Sequence, residues 1–142
     1  MKLLLILVFA ATLFNTGLIW TVQLVHYPGF LKMGVEKYIE YQQFHMKAIT
    51  YLVGPSMLIE LVLSVILLFM LTGLPDRALY VASFLILIGI WFHTAFWASP
   101  IHGKLLNGFS EDLARSLIHA NWWRTIGWTL RAFLLGFILM RV

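Results

Sequence analysis

Residues 48–72 read AITYLVGPSMLIELVLSVILLFMLT, and Glu60 is the one charge among them. A helix needs about 20 mainly apolar residues to cross the hydrocarbon core of a bilayer. This run is long enough. Left unpaired near the bilayer centre, its acid would cost about 2.5–3.5 kcal/mol. Such a residue demands a partner from another helix, so the stretch predicts a bundle in a membrane rather than a lone anchor.

Three more stretches fit. The four spans fall at about 3–26, 46–72, 78–99 and 121–140. The first and third carry no charge, and the fourth carries Arg124 near its start and Arg131 in its interior. The chain has 142 residues, 61% hydrophobic and 11% charged, with a mean hydropathy of +0.89. A soluble chain would carry about a quarter charged residues. The expected fold is therefore an all-α, up-down four-helix integral membrane bundle forming one domain over 1–142. The first apolar run continues past Trp20 to Val25, which is long for a cleaved leader, so it reads as a retained first helix.

With no cysteine in the sequence, disulfides, thiolate metal sites and iron–sulfur clusters are excluded. A net charge of +4 reads as basic residues flanking spans, not as a nucleic-acid footprint.

The connections are unequal. Gly73-Leu74-Pro75-Asp76 predicts a tight turn between the second and third spans. After Tyr27-Pro28-Gly29, helical periodicity resumes and predicts an extramembrane helical extension running into the second span. Ser110, followed by Glu111 and Asp112, predicts the start of a short helix to about His119, between the third and fourth spans. Pro55 is expected to kink the second helix.

Up-down topology gathers all five histidines (His26, His45, His93, His102, His119) and all six tryptophans (Trp20, Trp91, Trp97, Trp122, Trp123, Trp128) toward the loop end. Aromatic belts form at both membrane surfaces, so a one-sided set points to a pocket. Helical spacing places Asn121, Arg124, Trp128 and Arg131 on one face, and Thr16, Trp20, Gln23 and Tyr27 on another. His93 and Trp97 stand one turn apart. Glu60 and Arg131 are expected to pair and form a polar floor.

Three readings of this constellation compete. One is an oxidoreductase or oxygenase acting on a hydrophobic, aromatic small molecule, with His26, His45 and Arg124 as catalytic candidates. Histidine serves as a base near neutral pH, and a guanidinium steadies a developing oxyanion. Gln23, Tyr27, Glu60, His102, Asn121, Trp128 and Arg131 are the substrate-binding candidates. The second is a metal or haem site on His26, His45 and His102, although no metal-type spacing lies within one helix. The third is a non-catalytic membrane subunit or small-molecule carrier.

The blocks 20–30, 41–45, 53–60, 100–108 and 121–131 carry a resemblance. WTVQLVHYPGF, Tyr41 to His45, VGPSMLIE, PIHGKLLNG and NWWRTIGWTLR together resemble the anthrone oxygenase-like family of small four-helix membrane proteins, a wider group of unknown function. The resemblance spans almost the whole chain. It implies oxidation of anthrones to anthraquinones without a well-defined cofactor. It raises the oxygenase reading while leaving a histidine-bound metal or haem and cofactor-free chemistry both open. His93 and His119 lie outside these blocks.

The expected partners are the lipid bilayer and a hydrophobic substrate; a homo-oligomer is compatible with the pattern. The expected setting is multi-pass in a membrane, the inner one if the source is bacterial. Lys32, Lys37, Lys47, Lys104, Arg115 and Arg124 lie on the loop side, against Lys2, Arg77 and Arg141 on the other. The positive-inside rule then turns the loop end to the cytoplasm.

Overall fold

A computed structural model describes residues 1–70 and 76–141 of the protein. They form four long helices: α1, Lys2–Phe30; α2, Val35–Met70; α3, Arg77–Leu105; and α4, Glu111–Arg141. The expected all-helical architecture is present. α1, α2 and α3 are long and apolar enough to cross a membrane. α4 is more polar, because Glu111, Asp112, Arg115, Asn121 and Arg124 occupy its first half. The expected turn at Gly73-Leu74-Pro75 lies outside the described residues.

α2 runs unbroken from Val35 through Pro55, so the extension and the second span are one helix, as the periodicity implied. The expected short helix at 111–119 is not a separate element. No Gly or Pro lies between Ser110 and Asn121 to stop it, and it continues as α4 to Arg141. Ser110 does start it, its Oγ accepting from the Leu113 N–H at 3.3 Å.

α1 and α3 each contain one wide π-turn, at Val22–His26 and at Thr94–Ala98. Both lie just before a proline, Pro28 and Pro100. Proline has no N–H to donate to the fourth residue back, and its ring crowds that carbonyl. Widening the turn lets the preceding N–H, of Tyr27 and of Ser99, close on Val22 and Thr94 instead. Each π-turn adds one residue to its turn and so rotates the helix face beyond it. π-turns of this kind are frequent at functional sites.

The core divides into two apolar clusters. One, toward the loop end, joins Ile19, Val22, Tyr27, Phe30, Tyr38, Met57, Ile90, Leu105, Leu117 and Trp128. The other, toward the termini, joins Leu5, Val8, Leu67, Tyr80, Leu135 and Ile138. α4 packs most extensively on α3 and α1. Gly127 permits the close approach to α3, since a Cβ there would meet Ile90 Cγ1 at 3.1 Å and Cδ1 at 3.2 Å. Gly127→Val should therefore destabilise the bundle by about 1–3 kcal/mol. Gly17→Ala, whose Cβ would meet nothing within 4 Å, should not. Unfolding of both variants in mixed micelles checks this.

Candidate functional site

Between the two clusters lies a fully paired polar knot. Glu60 and Arg131 have no exposed surface, and Arg131 Nε donates to Glu60 Oε1 at 2.9 Å. The expected pair is therefore direct. Thr12 Oγ1 donates to the same oxygen at 2.6 Å. Asn15 Nδ2 and Trp128 Nε1 donate to Oε2 at 2.8 and 3.0 Å. The rest of the guanidinium reaches Ser83 O and Oγ through Nη1 and Ser64 Oγ through Nη2. All four helices contribute. With four donors on one carboxylate, Glu60 is a satisfied structural anion. It is held below the cavity rather than presented to it.

Above the knot is a cavity of about 250 Å³. This exceeds the roughly 150 Å³ of an engineered apolar cavity that takes benzene. Its walls are mainly apolar and aromatic: Ile19, Val22, Val53, Met57, Trp91 and Trp128 among them. The polar atoms are few. Tyr27, His102 and Arg124 stand at its loop end, and Asn15 and Trp128 couple its floor to Glu60. Sparse, convergent polar groups in an apolar pocket characterise small-molecule sites.

The π-turn of α1 brings Tyr27 fully inward, and the one in α3 does the same for His102. Tyr27 Oη lies 2.8 Å from His102 Nε2, and Gln42 Nε2 lies 3.2 Å from His102 Nδ1. With the Gln42 amide donating, Nδ1 is the acceptor, so neutral His102 carries its proton on Nε2 and donates it to Tyr27. The Tyr27 O–H is then free to point into the cavity. With the amide turned over, Nδ1–H donates to Gln42, and Nε2 accepts from Tyr27. The dyad thus supports two proton arrangements, one offering a proton to a ligand and one able to take it.

Arg124 is 5% exposed and shares none of the ion pairs among the described residues. Its guanidinium sits 5.6 Å from the Trp128 ring centroid and close enough to Tyr27 and His102 to act on both electrostatically. Its Nε has no acceptor, and neither has the Trp91 indole N–H. Two N–H donors on the cavity wall are thus left without acceptors in apolar surroundings. Leaving a buried donor unpaired costs about 1–3 kcal/mol, more when it is charged.

The remaining candidates lie apart from the cavity. His26 Nε2 and His45 Nδ1 are 2.6 Å apart, a hydrogen bond in which one nitrogen must be unprotonated. Both rings meet Phe30 edge-on, and neither lines the cavity. His45 and His102 rings are 5.3 Å apart, but among the described residues no three His, Asp or Glu side chains are arranged to hold a metal ion. Gln23 and Asn121 pair with each other at 2.8 Å. His93 stacks on Trp97, whose ring is exposed.

Sequence reasoning missed Thr12, Asn15 and Gln42, and had Trp91 only as one of the six loop-end tryptophans. The signal for the first two was present. Extending the face of Tyr27 and Gln23 backward as a straight helix gives Trp20 and Thr16. Removing the extra residue of the π-turn gives Ile19, Asn15 and Thr12, which are the buried positions. Proline at 28 was the available clue. Comparison with family models, with curated proteins and with solved structures found no match.

Proposed function

We propose that the protein is an integral membrane oxygenase of the anthrone-oxidising kind, in which α4 forms the fourth span. It takes a lipophilic aromatic compound whose carbonyl can enolise. The observation that carries this reading is that Arg124, whose Nε has no acceptor, and the Trp91 indole, whose N–H has none, line the same apolar cavity as the Tyr27–His102 dyad. The resemblance of the motif blocks to anthrone oxygenases supports it independently.

In the base-competent arrangement, Tyr27 oxygen takes a proton from the methylene carbon while His102 receives the Tyr27 proton. Arg124 and the Trp91 N–H hold the enolate oxygen, the electrostatic task such donors perform best in a dry site. Dioxygen then adds to the carbanionic carbon, and the peroxide loses water. One anthrone and one dioxygen give one anthraquinone and one water. The aromatic walls keep bulk solvent from the carbanion. By the positive-inside rule, the loop end faces the cytoplasm, of a bacterial inner membrane if the source is bacterial.

The test is anthrone oxidation by the protein in phosphatidylcholine vesicles. The expected result is anthraquinone formed well above the rate in empty vesicles, with one dioxygen consumed per anthrone. A rate equal to that of empty vesicles would sink the proposal.

A further inference from the structure

We infer that the cavity is loaded sideways from the lipid, through a mouth between α2 and α3 at Thr50, Gly54 and Ser99, which selects flat lipophilic compounds bearing an acidic or carbonyl oxygen. This rests on the reading of the cavity as a substrate site.

On the α1 and α4 side, the cavity is bounded by Asn15, Ile19, Val22, Tyr27, Arg124 and Trp128, all buried, and by Leu18, which is half-buried. The Glu60–Arg131 knot seals the floor with every charge paired. Toward the loops, the Tyr27–His102–Gln42 chain closes the roof, backed by Phe30, Tyr38 and Leu105, each with no exposed surface. The exposed lining residues are Thr50 and Gly54 on α2 and Ser99 on α3.

The composition of α2 fits an opening there. Its buried positions run Tyr38, Gln42 and His45, then resume at Met57, Glu60, Ser64 and Leu67. Between them, Met46, Ile49, Thr50, Val53 and Gly54 line the cavity and none is fully buried, although Ile49 and Val53 also pack against the loop-end cluster. A Cβ on Gly54 would meet nothing within 4 Å, so packing does not require glycine there; its effect is to leave the gap unfilled. The surface around the mouth is lipid-like in preference: Tyr51, Leu52, Phe96 and Trp97 are all exposed. Gly54 also lies in the apolar run 48–72, well inside the membrane zone. A solute reaching the mouth must first dissolve in the bilayer, and the oxygen it brings meets Arg124 and Tyr27 at the far end.

The experiment uses 1,8-dihydroxyanthraquinone, a flat lipophilic phenol, with the full chain in phosphatidylcholine nanodiscs. Binding is followed by quenching of tryptophan fluorescence. Gly54→Trp should slow both association and dissociation by about tenfold or more, since a bulky ring at the mouth obstructs the path in each direction. Leu58→Trp, one turn away on the exposed face, should change neither rate. In a second measurement, Gly54→Cys gives the only thiol in a cysteine-free chain. A nitroxide attached there should be relaxed more strongly by dioxygen than by a water-soluble nickel chelate. If Gly54→Trp binds at the wild-type rate, or if the nickel chelate dominates the relaxation, the lateral mouth is wrong and the cavity reading stands. If the wild type binds no probe, both fall.

Discussion

Replacing Glu60 by leucine should cost the bundle about 3–5 kcal/mol, because it leaves Arg131 charged, buried and unpaired. It also strips acceptors from Thr12, Asn15 and Trp128, three donors from two other helices. Arg131→Leu should cost a similar amount by stranding the carboxylate. The double replacement should cost clearly less than the sum, since no charge is then left behind. Unfolding of the three variants in mixed micelles measures this cycle. Additive losses would mean that the two residues act independently, against the 2.9 Å contact.

The second large effect is on chemistry rather than stability. Arg124→Gln should lower anthrone turnover about 10²–10³-fold, the usual loss when an oxyanion donor is removed. Tyr27→Phe should lower it about 10²–10⁴-fold by breaking the proton path to His102. Both variants keep the Glu60 knot intact, so their unfolding should change far less than that of the Glu60 variant. If the knot were the chemical centre, this pattern would be reversed. His26→Ala should slow turnover less than either, since His26 pairs with His45 beside the cavity and not within it.

Much of the fold was legible because membrane helices announce themselves by length and apolarity. The pairing of Glu60 with Arg131 followed from the cost of burying one charge alone. The α4 face was legible too. Its buried positions step regularly through Asn121, Arg124, Trp128 and Arg131, and nothing in that helix disturbs the 3.6-residue period. The faces of α1 and α3 were legible only beyond their π-turns. A local change of pitch shifts every position before it by one, which hid Asn15 and set Trp97 on the outside where Ala98 points in. Site roles were the least legible. Histidine content drew attention to His26, His45 and His102, with the catalytic role given to the first two, yet of the three it is His102 that lines the cavity. Which histidine does so depends on interhelical packing, and no periodicity within a single helix encodes that.

On the proposed function, a lipophilic compound with an ionisable oxygen is held at Arg124 inside the cavity. A visible-absorption titration of 1,8-dihydroxyanthraquinone into the nanodisc-embedded protein addresses it. The wild type should bind about one molecule per chain, with the red shift of the phenolate at a pH where the free dye is neutral. Arg124→Gln should abolish the shift and weaken binding tenfold or more. Unsaturable partitioning into the lipid alone, or the same shift and affinity in Arg124→Gln, would contradict the account.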